Sequence, residues 1–149
     1  MRETIEKQSF NGQFFVDNAV RKNGKIVQTT NITEVCQYYA FFFDIATQKK
    51  HSALLQTLLN DFGPQRKETG LYPDVAFANA FIGNYLRLEV LFRNGFYKQI
   101  LKEIDLYFYY MAELSGSLWE YDTPRASCCH GFASYVAYWL LKLCEKMDL

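Results

Sequence analysis

One stretch of this sequence gathers the residue types that hydrolytic chemistry uses. Gly116-Ser117-Leu118-Trp119-Glu120-Tyr121-Asp122 is followed, after Thr123-Pro124, by Arg125-Ala126-Ser127-Cys128-Cys129-His130-Gly131-Phe132-Ala133-Ser134. Glu120 stands between two aromatic residues, Trp119 and Tyr121, with Arg125 and His130 near it in sequence. Apolar neighbours disfavour a charged carboxylate, whereas a guanidinium beside it favours the charge. A carboxylate that activates water must be ionised, so Arg125 or a hydroxyl partner suits a general base at Glu120. His130, at the head of a helix, is placed to donate to a sugar hydroxyl. The spacing equally admits a plainer arrangement, with Trp119 plugging the core and Glu120 and Asp122 facing solvent ahead of the helix.

The other chemistry-bearing residues offer less. Glu34 is expected to be structural or to support a site residue, Asp74 to cap a helix, and His51 to be a solvated residue behind two lysines. The cysteines are Cys36, Cys128, Cys129 and Cys144. The adjacent pair fits no zinc spacing and the chain has only two histidines, so no metal and no cofactor is expected. Free thiols packed as small apolar groups are the expectation for all four. No carboxylate cluster has calcium-loop spacing.

Composition narrows the class further. The 149 residues are 50% hydrophobic and 17% aromatic, so a packed core is expected, not a disordered chain. Lys plus Arg equals Asp plus Glu, which removes the phosphate-neutralising charge of a nucleic-acid binder. Arg87 and Glu89 interrupt the longest apolar run, so no transmembrane segment is expected. The N-terminal MRETIEKQSFNG carries charges where a signal peptide needs an apolar stretch, and the compartment stays open. Thirteen Phe and eleven Tyr suit either a helical core or a sugar cleft, where a ring packs against the C–H face of a pyranose.

The elements that must position these residues read as helices joined by alternating short and long connections. Arg2 to Ser9 is expected as the last turns of a helix closed by Asn11-Gly12. A short hairpin or extended loop turns at Asn23-Gly24. Thr33 to Ala46, apolar around most of its circumference, predicts a buried helix, and about His51 to Asn60 a second. DFGPQRKETGLYP reads as loop. Asp74 caps a helix over about Val75–Phe92, which Asn94-Gly95 closes. Phe96 to about Leu114 is the next helix, Ser115–Ser127 a loop, and about His130–Lys146 the last helix. Long loops at Gly63–Pro73 and Ser115–Ser127 are the ones that would gather at one end of a toroid of helical hairpins.

The run GSLWEYDTPRASCCHGFASY resembles the C-terminal motif of bacterial α-L-rhamnosidases and related six-hairpin glycosidases, in which a Trp-Glu pair is followed one loop later by a His that opens a helix. TNITEVCQYYAFFFDIA and LYPDVAFANAFIGNYL with FRNGFYKQILKEIDLYFYYM are similar to other segments of that family, so the resemblance runs from about Phe14 onward. It implies an all-α fold of helical hairpins forming part of an (α/α)6 barrel, with a short extended segment near the N-terminus. Residues 1–149 are then a single partial domain, the C-terminal half of the catalytic barrel. The implied activity is inverting hydrolysis of terminal α-L-rhamnosides, with carbohydrate as partner and neither nucleic acid nor membrane. Glu120 falls at the family's general base, and Trp119, Tyr121, Arg125 and His130 fall about its sugar pocket. Two departures stand out. Cys129 replaces the Asn that commonly precedes the His, and the earlier acidic segment that supplies the general acid is missing. The isolated chain is therefore expected to be inactive and to self-associate through the open half-barrel face. The alternative is a non-catalytic carbohydrate-binding or helical interaction module.

Overall fold

Asn23 and Gly24 adopt φ of 49° and 77°, the left-handed pair that a two-residue hairpin turn requires. They join strands β1 (Ala19–Lys22) and β2 (Lys25–Gln28), which pair antiparallel with Val20 opposite Val27. In the computed structural model, which describes residues 1–147, this hairpin is one of two small β features in a chain about 53% helical. The chain divides into two compact units, Met1–Ala78 and a second that begins at Asn79.

The first unit opens with helix α1 (Arg2–Ser9), as its residues lead one to expect. After the hairpin, strand β3 (Ile32–Thr33) leads into α2 (Glu34–Phe42), where the Thr33 hydroxyl accepts from the Cys36 amide at 3.1 Å. This satisfies one of the amides a helix start leaves open. The helix stops four residues short of the expected Ala46. Asp44 takes φ of 53°, and the amides of Ile45 and Ala46 both turn back to the Ala40 carbonyl at 2.8 and 2.9 Å. A short polar side chain tolerates this left-handed position better than most. Burial raises the Cys36 thiol to about 12, with Asp17 adding to the shift, which keeps it protonated and unreactive.

Helix α3 (Ser52–Asn60) buries Leu54, Leu55, Leu58 and Leu59. His51, just before it, is not the solvated residue its sequence context suggests. It is 5% exposed, its Nδ1 accepts from the Thr47 amide at 3.2 Å, and Glu6 faces its Nε2 at 3.3 Å. The rings of Phe10 and Phe15 lie 5.0 and 5.5 Å away. Aromatic packing accounts for its burial.

The segment read as uninterrupted loop contains a short helix, α4 (Arg66–Thr69), and its Arg66 organises everything around it. Both Arg66 and Glu34 are 1% exposed, and Arg66 Nε donates to Glu34 Oε1. The remaining guanidinium nitrogens donate to the carbonyls of Leu71, Tyr72 and Val75 at 3.0, 2.8 and 2.7 Å. The Phe77 ring lies 4.0 Å from the guanidinium carbon. Glu34 Oε2 accepts from the Tyr38 hydroxyl at 2.9 Å. Such complete pairing is what a buried charge needs. The sequence expectation of a helix from Val75 capped by Asp74 is therefore corrected. Val75–Ala76 forms strand β4, paired parallel with β3, and Arg66 holds the carbonyl that a helix would have used internally.

In the second unit α5 runs over Ile82–Arg93, and Gly95 at φ 77° closes it. Asn79 supplies the side-chain oxygen for its first turn, accepting from the Gly83 amide at 2.8 Å. α6 (Tyr97–Glu103), a π-helical segment (Ile104–Tyr109) and α7 (Tyr110–Ser115) follow without a break. Gly116 at φ 72° ends them, a position suited to glycine. A 3₁₀ turn (Gly131–Ser134) then leads into α8 (Tyr135–Met147). α5, α6 and α8 pack on one another over Leu88, Leu91, Ile100 and Leu143, all at 0% exposure. A second buried ion pair joins α5 to α6, with Arg87 donating to both Glu103 oxygens at 2.8 and 2.7 Å. Among the described residues no helix is long and apolar enough to cross a membrane.

Glu34→Ala leaves the Arg66 guanidinium buried without its counter-charge. The expected loss is about 3–5 kcal/mol, read by urea denaturation. A loss below about 1 kcal/mol, the scale of an exposed pair, would contradict the organising role given to Arg66.

Candidate active site

Residues 116–130 have no regular secondary structure, yet their backbone is pinned at three places. The Glu120 amide donates to the Ser127 carbonyl at 3.0 Å, and the His130 amide donates to the Leu118 carbonyl at 2.8 Å. The Ser117 hydroxyl donates to the Cys128 carbonyl. The stretch around Glu120 thus runs alongside the stretch that ends in His130. A further strut comes from ahead of α5, where the Ala80 amide donates to the Glu120 carbonyl at 3.0 Å. Ala80 is held in turn by α8, whose Tyr135 hydroxyl donates to the Ala80 carbonyl at 2.7 Å. Burial, with lesser contributions from Tyr107, Glu103 and Tyr85, pushes the Tyr135 phenol well above its usual range. It remains a neutral donor.

Trp119 anchors this arrangement from below. It is 1% exposed and packs with Ala80 and Met111, with Tyr107, Leu118 and Cys128 around them. Its indole nitrogen donates to the Ser115 hydroxyl at 2.7 Å, which satisfies the one polar atom of a buried Trp. The ring is core, as in the plainer of the two arrangements read from the sequence, and offers no open face for a sugar to stack on.

Its neighbour differs. Glu120 is half-buried, and among the described residues its carboxylate makes no hydrogen bond or ion pair. His130 is also half-buried, with its ring tilted on Phe81 at 4.7 Å between centroids and its two nitrogens likewise uncommitted among the described residues. Tyr121 is 44% exposed and Arg125 is exposed. Arg125 forms no ion pair with Glu120, so the charge partner that the sequence suggested is not supplied by that residue. The structure therefore brings Glu120 and His130 into adjacent, hydrogen-bonded segments, puts Trp119 beneath them, and leaves Tyr121 and Arg125 on the surface.

Sequence reasoning missed the residues that hold this loop. Ala80, Phe81 and Tyr135 lie far from Glu120 in the chain, and nothing in their local pattern announces the contact. Phe132 belongs to the same group, two residues past His130, with its ring 5.8 Å from Phe81. Among the described residues no group of three or more His, Cys, Asp or Glu gathers as a metal site, and the four cysteines are free thiols. The arrangement can accept a proton at Glu120 and donate or accept a hydrogen bond at His130. No protein-family model, curated protein or solved structure matches the chain.

Tyr135→Phe removes the strut on Ala80 while keeping the ring. The expected cost is about 1 kcal/mol, or a fall of a few degrees in Tm, measured by scanning calorimetry. An unchanged Tm would contradict the support assigned to that hydroxyl.

Proposed function

We propose that this chain carries the water-activating side of a glycosidase site of the α-L-rhamnosidase type, with Glu120 as general base. The observation that carries the reading is a half-buried carboxylate, uncommitted among the described residues, on a residue fixed by backbone bonds at both its amide and its carbonyl. Catalytic groups act through geometry held in advance of substrate. A side chain on irregular backbone takes that role only if the backbone is held, and at Glu120 two backbone hydrogen bonds do the holding. The motif resemblance agrees, and under this reading the helical hairpins belong to an (α/α)6 toroid.

In the proposed chemistry Glu120 takes a proton from water as the oxygen attacks the anomeric carbon, and the leaving oxygen is protonated from the opposite face by a second carboxylic acid. Inverting enzymes keep two such groups roughly 6.5–9.5 Å apart to admit the water. His130 contributes a hydrogen bond to a sugar hydroxyl. Three acids of the second unit are held in ion pairs: Glu103 with Arg87, Glu89 with Arg93 and Glu145 with Lys142. The resemblance assigns no residue of this sequence as the general acid, so the chain is expected to bind sugar and leave the glycosidic bond intact, since leaving-group protonation contributes about 10²–10⁴-fold.

A helical interaction module is the second reading. It is favoured by Leu106, Tyr109, Tyr110 and Leu114, which recur at helical spacing and are 49–60% exposed. That stripe suits self-association or a partner helix.

Titrating the chain with L-rhamnose separates the two. The His130 imidazole signals are expected to shift in NMR spectra, with no release from an aryl α-L-rhamnoside under the same conditions. Glu120→Gln is expected to weaken binding about tenfold, the scale of one hydrogen bond to a charged group. Unmoved His130 signals at saturating sugar would overturn the glycosidase reading and leave the interaction module.

A further inference from the structure

α6, the π-helical segment and α7 make one continuous helical rod over residues 97–115. At 1.5 Å per residue it is about 28 Å long. Its inner side buries Ile100, Ile104, Phe108 and Met111. Its outer side exposes Lys98 and Lys102 near the start, Leu106, Tyr109 and Tyr110 in the middle, and Glu113 and Leu114 at the end. Residues four apart drift about 40° round an α-helix, which would carry Lys98, Lys102, Leu106, Tyr110 and Leu114 off one face. The wider turn of the π segment takes back most of that drift, and all five stay exposed along one stripe.

We propose that this outer face docks a second copy of the chain, with the two rods antiparallel. The inference takes the exposed stripe of the second reading above and names what covers it; it does not depend on sugar chemistry. Charge identifies the occupant. The rod's basic residues, Lys98 and Lys102, stand at its first end and Glu113 at its last. None of the three forms an ion pair among the described residues. Antiparallel rods set the lysines of each copy against Glu113 of the other, and a twofold axis makes the match twice. The apolar middles, Leu106 with Tyr109 and Tyr110, then meet and leave water. Asp105, close to the midpoint, falls near the tyrosines of the other copy, whose hydroxyls can donate to it. The lysines also lie beside the negative C-terminal end of the opposite rod. A parallel pair would instead stack lysine on lysine and glutamate on glutamate. One rod face is a small contact, so the association is weak and reversible.

Sedimentation of the 149-residue chain from low to high micromolar concentration tests the proposal. The average mass is expected to rise from one copy toward two. Glu113→Lys is expected to weaken association about tenfold or more, because three lysines then crowd each junction. Lys98→Glu with Lys102→Glu is expected to do the same with carboxylates. All three substitutions in one chain exchange the two ends, and are expected to recover most of the association. All three positions are exposed, so the variants keep their core. A chain that stays monomeric at the highest concentration would overturn the second copy as occupant and leave the stripe to an unlike partner. A dimer indifferent to Glu113→Lys, or one that the triple exchange fails to recover, would overturn the antiparallel face. Sugar binding is read at His130, so none of these results bears on the glycosidase reading.

Discussion

The chain of backbone hydrogen bonds that passes through Glu120 determines what its carboxylate can do. Its amide is spent on Ser127 and its carbonyl on Ala80, so the residue between Trp119 and Tyr121 has its main-chain direction set from two sides. With Trp119 sunk in the core and Tyr121 44% exposed, consecutive side chains point in different directions and Glu120 lies between the two environments. A loop without regular structure would ordinarily leave such a side chain to wander. Here α5 and α8 reach it through Ala80 and Tyr135, and the end of α7 reaches it through Ser115 and the indole of Trp119.

Each unit also contains a buried ion pair, and the two work in comparable ways. Glu34–Arg66 and Glu103–Arg87 are expensive to bury, and well-packed apolar residues in place of such pairs are often as stable or more so. What the charged pairs add is geometric definition. Arg66 gathers three carbonyls from the segment after α4, giving a Gly- and Pro-containing stretch one conformation. Arg87 fixes α5 against α6, and Gln99 joins in by donating to Glu103 Oε1 at 2.7 Å. The helix that carries Asn84 and Tyr85 is thereby held while its N-terminal side supports the loop at Glu120.

Several turns were legible in the sequence because local chemistry decides structure there. Asn23-Gly24 and Asn94-Gly95 each act through their own backbone or the adjacent turn, and each falls where its residue type suggests. Most helices were likewise readable from apolar spacing. The misreadings at Val75 and His51 share a different cause. Val75 is a strand and His51 is buried because of partners distant in sequence, Arg66 and Glu34 in one case and Phe10, Phe15 and Glu6 in the other. At the site, the motif singled out Glu120 and His130, which lie in paired segments, and also Trp119, whose ring the core consumes. Phe81, Phe132 and Tyr135 were not legible because an aromatic residue in a helical pattern reads as core, and only packing reveals which ring stays open.

Amide hydrogen exchange at Glu120 and His130 tests the central claim directly, because immobility of this irregular loop is what distinguishes a built site from an exposed acidic residue. The account expects both amides to be protected by about 10³-fold or more and to open together with α8. Exchange at the rate of an unstructured peptide, with α8 still protected, would contradict it.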